Sequence, residues 1–309
     1  MKENLVQLFP TGMDNPHYEY TGLANRPTLN WPNDQRISVI VLLHLEYWRD
    51  DPPPESKRDL RFSGEYGSFS PDFRTWSQRE YGNRVGLARV LNILDQYNLK
   101  ITVPLNSACI GRHDALISEL SQRDVEFVGH GSYANQIISS AMSESEEKAL
   151  IGESISQLER AVGYRPRGWA GQDYGESART PSLLAEAGFD YLLDWPNDDQ
   201  PYLMGSNPGL VSIPRQPEWD DVELLWLRRI HMHRYPEIIA DAFDALYQEG
   251  GRVFVLSLHP WLIGMAHRIK YLDIALKHIT KRTGVWSASA GEVARFSRSL
   301  LCAGGKTGD

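Results

Sequence analysis

Uninterrupted apolar runs that turn polar only at their ends recur along this chain, with longer stretches of helical periodicity between them. Ile37 to Trp48 is apolar until His44 and Glu46, Val253 to Leu258 stops at His259-Pro260, and Val125 to Val128 stops at Gly129-His130-Gly131. Such runs are the pattern of strands covered on both faces. Arg84 to Tyr97 carries a helical stripe through Val85, Leu87, Ala88, Leu91, Ile93 and Leu94. Ser143 to Val162 opens with capping-box spacing, Ser143 to Glu146, and continues through Leu150, Ile151, Ile155 and Leu158. Short strands are expected at Ile101 to Leu105, Gly168 to Ala170, Tyr191 to Asp194 and Leu210 to Ile213. Helices are expected near Pro181 to Ala187, Pro236 to Gln248, His267 to Thr280 and Gly291 to Ser299. This alternation predicts an α/β chain forming a mostly parallel barrel in one domain. Residues 1–35 read as an N-terminal arm, 36–300 as the barrel, and 301–309 as a flexible tail. A long insertion at 49–81, with Tyr66, Phe69, Phe73 and Trp76, is a candidate lid or subunit contact.

The polar residues that end these strands are the candidate chemistry. Side chains alternate along a strand, so His44 and Glu46 share a face while Leu45 points away. Buried without partners they would cost several kcal/mol, so they either pair or face a wet cavity. The plain alternative is a structural His-Glu hydrogen bond. His130 lies between two glycines, which allow close backbone approach. His259 lies at the C-terminal end of its strand, where catalytic groups collect in parallel α/β folds.

The order of strand-end acid, Gly129-His130-Gly131, Arg165-Pro166-Arg167-Gly168-Trp169, Leu192-Leu193-Asp194-Trp195 and Leu258-His259-Pro260 resembles the polysaccharide deacetylase superfamily. Thr180 to Phe189, Asp194 to Pro201, and His259 to Gly264 leading to His267-Arg268 are more similar to its metal-independent allantoinase and cyclic imide hydrolase branch. The resemblance spans roughly Ile37 to Phe296. It implies a deformed (β/α)7 barrel related to the TIM barrel, and a homo-oligomer, dimer or tetramer. It also implies that Arg165 orients the base and that His259 is the acid. Two departures matter. Sugar deacetylases carry adjacent aspartates after the first strand, whereas Glu46 is followed by Tyr47. Their His-x-x-x-His motif is broken here, because Ala134 stands four residues after His130 and Asn135 follows it. An Asn is a poor zinc ligand. The expectation is therefore either no cofactor or one divalent metal, zinc first, on His44, Glu46 and His130.

Hydrolysing an amide needs a base to activate water, a group to hold the oxyanion and an acid for the leaving nitrogen. Glu46 is the expected base, His259 the acid, and His130 with Asn135 would orient water or polarise the carbonyl. Trp48, Trp169, Trp195, Trp261 and His267 are the expected substrate contacts, the indoles offering flat apolar faces to a planar ring. Asp194 would meet ring N–H groups or anchor a loop, and Asp198 and Asp199 read as loop anchors. His231 and His233 sit among Arg228, Arg229 and Arg234 and read as a surface patch.

Composition narrows the class further. At 309 residues and a formal net charge of −8, the chain has a core-forming length and no basic surface for nucleic acid. Cys109 and Cys302 form no framework, and no apolar stretch approaches a membrane span. A cytoplasmic hydrolase of non-peptide C–N bonds in a small cyclic amide, imide or ureide is the first expectation, with no nucleic-acid or membrane partner. A metal-dependent N-deacetylase of an amino sugar is the second, and a catalytically silent small-molecule-binding barrel the third.

Overall fold

The structure is a computed structural model that describes residues 15–26, 29–50, 71–205 and 209–304. Nine strands form one curled sheet: β1 (Ile37–Leu43), β2 (Ile101–Leu105), β3 (Val125–Gly129), β4 (Gly168–Trp169), β5 (Tyr191–Leu192), β6 (Tyr202–Met204), β7 (Leu210–Ser212), β8 (Arg252–Leu258) and β9 (Val285–Ser287). Their order is β6-β7-β5-β4-β3-β2-β1-β8, with β9 added beside the first half of β1. Eight of these run parallel, the seven from β7 round to β8 and β9 beside β1, and β6 pairs antiparallel on the edge of β7. The fold is thus the expected deformed α/β barrel. Its seam lies between the β6–β7 edge and β8. There Val253 N–H donates to Asp199 O at 3.0 Å and Trp219 Nε1 to Val255 O at 2.9 Å, so single hydrogen bonds replace a ladder.

The apolar runs explain which strands form the centre. All seven residues of β1 and of β8 are buried, and the two pair over their full length in the register Ile37↔Arg252 to Leu43↔Leu258. Burying one such Val, Leu or Ile side chain is worth roughly 1.5–3 kcal/mol, and helices cover the outer face. These are α1 (Phe73–Tyr81), α2 (Leu87–Gln96), α3 (Asp114–Ser121), α4 (Glu144–Val162), α5 (Thr180–Glu186), α6 (Tyr235–Glu249), α7 (Pro260–Ile263), α8 (Ile269–Thr280) and α9 (Ala290–Gly304). The Ser143–Glu146 capping box is present at the start of α4.

Two boundaries differ from the sequence reading. The expected insertion 49–81 ends in helix, because the Asp72 side chain accepts from Thr75 N–H at 3.0 Å and starts α1 at Phe73. Its Pro52 to Glu55 stretch, Tyr66 and Phe69 lie outside the described residues, as do residues 1–14, 27 and 28 of the expected arm. The end of the arm next to β1 packs on the barrel, with Trp31 1% exposed and donating to Arg252 O at 3.0 Å. The expected tail begins too early, since α9 continues to Gly304. Among the described residues no helix is long and apolar enough to cross a membrane.

Candidate active site

The β1–β8 register brings two histidines from opposite ends of the chain together. Leu43 pairs with Leu258, so one residue further His44 meets His259, and their rings stack at 4.0 Å between centroids, 15° apart. The ladder carries on past β1: His44 N–H donates to Leu258 O and Leu45 N–H to Pro104 O, both at 3.0 Å. This extended backbone keeps Leu45 in the core and puts His44 and Glu46 on the other face. From the opposite side, β3 delivers His130, whose Nε2 lies 3.1 Å from His44 Nδ1 and 3.5 Å from Glu46 Oε1. Glycine at 129 is required here, because a Cβ would lie 2.7 Å from the Trp169 ring. Asn106, fully buried, ties the two sides together: its Oδ1 accepts from Tyr47 N–H at 3.1 Å and its Nδ2 donates to His130 O at 2.6 Å.

His259 is held by an acid that the sequence reading missed. Asp221, fully buried, accepts from the His259 backbone N–H at 2.8 Å and from the ring Nδ1 at 2.6 Å. Asp220 stands behind it, 3.9 Å from the same nitrogen, and accepts from Tyr174 OH at 3.2 Å. Burial alone would lower the His259 pKa, but the charges of Asp221 and Glu46 overcome it and raise it to about 9. Burial in turn pushes Asp221 up to about 6, against the pull of His259. At neutral pH the pair is a carboxylate and an imidazolium. Its Nε2 points toward Glu46 Oε1 at 3.9 Å.

Glu46 is in the opposite state. Burial would raise its pKa, yet the charge of His259, the hydrogen bond with His130 and the charge of Arg79 together bring it below the usual carboxylate value. His44 stays neutral: burial, then the charges of His259, His130 and Arg215, press its pKa well down. The His130 ring gives its Nδ1 proton to Ala170 O, a carbonyl that can only accept. Its Nε2 thus shares whatever proton it holds with His44 and Glu46. Side-chain exposure separates the roles. Glu46 and His259 keep 11% and 10%, whereas His130 keeps 1%.

Ligand atoms of His44, Glu46 and His259 lie within 4.8 Å of one another, and His44 Nε2 is buried with no hydrogen-bond partner, so by distance this cluster could hold a divalent ion. His130, the third ligand expected from sequence, is replaced in it by His259. The ring geometry suits an ion poorly. Imidazole lone pairs lie in the ring plane, and two rings stacked at 4.0 Å direct them side by side rather than at one point about 2.0–2.1 Å from each. The stack must open before both could ligate. A second cluster of Asp220, Asp221 and His259 has its ligand atoms already bound to each other.

Other expected site residues lie elsewhere. Arg165 precedes β4 and so sits at the N-terminal end of the sheet, opposite the site, bound to Glu159 at 3.0 Å and Ala187 O at 2.8 Å. It does not orient Glu46. Asn135 spends its amide on the backbone leaving Glu46, with Oδ1 accepting from Arg49 N–H at 3.0 Å and Nδ2 donating to Arg49 O at 2.8 Å. Trp169 is fully buried against Phe189 and is core, with no face for a substrate. Trp195 donates to Glu176 at 2.6 Å and meets the edges of His17 and Tyr18. Asp194 has no exposed side-chain surface; it accepts from Gly171 N–H at 2.8 Å and pairs with Arg215 at 3.5 Å, which makes it an anchor. Asp198 is an anchor too, bound to Arg26 at 2.5 Å. His267 is exposed in the turn before α8, and His231 and His233 stack on each other at the surface. Trp48 and Trp261 are beside the site, where both meet Arg79.

A parallel α/β barrel that sets a carboxylate and an imidazolium side by side at the C-terminal ends of the neighbouring strands β1 and β8 is suited to hydrolytic chemistry. Residues 80–192 match the polysaccharide deacetylase family. A putative polysaccharide deacetylase of Schizosaccharomyces pombe is 25% identical, over 90% of this chain and 95% of its own. A peptidoglycan deacetylase of Helicobacter pylori is 23% identical, over 75% of this chain and 89% of its own. In three dimensions the chain is similar to the PuuE allantoinase, with a TM-score of 0.77 and 25% identity over 89% of this chain and 95% of that one. In sequence and in fold the chain is thus similar to proteins of the polysaccharide deacetylase superfamily.

Proposed function

We propose that the chain is a hydrolase of C–N bonds other than peptide bonds and opens the ring of a small cyclic amide, imide or ureide. The observation that carries this is the pair of Glu46 and His259, facing each other 3.9 Å apart as the more exposed members of a buried cluster, with the Glu46 pKa pulled down by its neighbours and that of His259 raised to about 9. A gap of that length is too long for a direct hydrogen bond and accommodates a reacting group between acid and base. Glu46 takes a proton from water as its oxygen adds to the ring carbonyl carbon. His259 Nε2 then gives its proton to the ring nitrogen as the C–N bond breaks, and the proton on Glu46 passes on to restore the pair. The product is one open chain carrying the new carboxyl group and the freed nitrogen. Such a ring carbonyl is more electrophilic than a sugar acetamide, so this pair acts without a Lewis acid in the step. The likeness to an allantoinase supports a small ring as substrate. A homo-oligomer, dimer or tetramer, is part of the same proposal and is read by light scattering.

The test is ring opening of allantoin, hydantoin, dihydrouracil, succinimide and glutarimide, before and after chelation, with Glu46→Gln and His259→Ala alongside. Turnover by the wild type that survives chelation and is lost in both variants is the expected result. A second reading, metal-dependent N-deacetylation of an amino sugar, is favoured by the likeness to a peptidoglycan deacetylase and by the short ligand distances in the His44-Glu46-His259 cluster. Chelator-sensitive release of acetate from N-acetylated sugars, with all five rings left intact, would establish that reading instead.

A further inference from the structure

Arg79 on α1 is 4% exposed and carries its guanidinium into a box of three indoles, 3.2 Å from the centroid of Trp261, 4.6 Å from Trp48 and 5.0 Å from Trp226. Two of these indoles follow the acid–base pair by two residues each, Trp48 after Glu46 and Trp261 after His259. One turn beyond Arg79, Asn83 Nδ2 donates to the Glu46 carbonyl at 2.9 Å. The π-type turn Gly82–Gly86 then lies on the His259 side: a Cβ on Gly82 would be 2.5 Å from Trp261 N, and one on Gly86 2.0 Å from Pro260 O. Such turns recur at functional sites because they re-aim a helix face. One rigid helical segment therefore touches the strand end that bears the base and the turn that bears the acid. We propose that Arg79 is the positioning residue of this site, a tryptophan-caged guanidinium that sets the Glu46 carboxylate against His259. It supplies from α1 the charge that the sequence pattern places at Arg165. Cation–π contacts in a desolvated box fix such a charge where a hydrated surface arginine would be mobile.

The inference rests on the hydrolase reading above, and the experiment separates the two. Kinetics are read on the cyclic amide that the wild type opens or, should it open none, on the N-acetylated sugar that it deacetylates; a change of substrate class refutes that reading alone, and inactivity toward both overturns this inference as well. Arg79→Ala is expected to lower kcat about 100-fold, the scale of an ångström-sized misplacement, with KM changed less than about threefold. Millimolar methylguanidinium should refill the box, change the tryptophan fluorescence and restore kcat at least tenfold, while sodium chloride at equal ionic strength should not. Unchanged kcat, a loss confined to KM, or methylguanidinium that alters fluorescence without restoring turnover would overturn the proposal. Should Arg79→Ala not fold, Arg79→Lys keeps the charge but not the planar contact; kcat reduced about tenfold at unchanged KM supports the inference, and wild-type kcat overturns it.

Discussion

Two buried histidines end two strands of this sheet, and they differ in what their ring nitrogens meet. His259, after β8, has a carboxylate on Nδ1 and turns Nε2 to the mouth of the site. His130, after β3, has the Ala170 carbonyl on Nδ1 and turns Nε2 into the cluster. A carboxylate raises the pKa of an imidazole, whereas a backbone carbonyl fixes its orientation without adding charge. The carboxylate makes His259 the charged donor of the site, and the carbonyl holds the His130 ring in place.

The sharpest break of this contrast is at the base and the donor themselves. Glu46→Gln is expected to cut kcat about 1000-fold and His259→Ala about 100- to 1000-fold, within the range of general acid–base contributions. His130→Gln keeps one hydrogen-bonding end and should cost about tenfold, read in the same steady-state assay; a loss as large as that of His259→Ala would erase the distinction between donor and brace. Gly86→Ala drives a Cβ onto Pro260 O and should destabilise the fold by about 1–3 kcal/mol, measured by urea denaturation, with kcat falling alongside. Arg165→Ala, far from the site, should change kcat less than twofold and stability by less than about 1 kcal/mol.

How much of this was legible in the sequence follows from the physics of each residue. Strands covered on both faces write themselves as apolar runs, so β1, β3 and β8 and their polar ends could be read directly, and strand alternation placed His44 and Glu46 on one face. Asp221 could not be read that way. Asp220-Asp221 looks like any solvent-facing acidic pair, and only the fold that brings Val222–Leu227 beneath the end of β8 turns it onto His259. Arg79 sits in a segment read as insertion, because the Asp72 cap that begins its helix is a single side chain. Arg165 matched a pattern, but the strand it precedes begins three residues later, which puts it at the wrong end of the sheet. Trp169 shows the same limit: its ring direction depends on which face of a two-residue strand is core.

The central claim is that Asp221 makes His259 the charged acid of the pair, and the pH dependence of kcat/KM for ring opening tests it most directly. Activity requires the Glu46 carboxylate and the His259 imidazolium together. As pH rises through about 9, His259 loses its proton and the rate must fall. As pH falls through about 6, Asp221 gains a proton and loosens its hold before Glu46 is protonated. The account predicts a plateau between these limits for the wild type, and in Asp221→Asn an alkaline limb moved from about 9 down toward 6.5. An alkaline limb that stays in place in Asp221→Asn would contradict it.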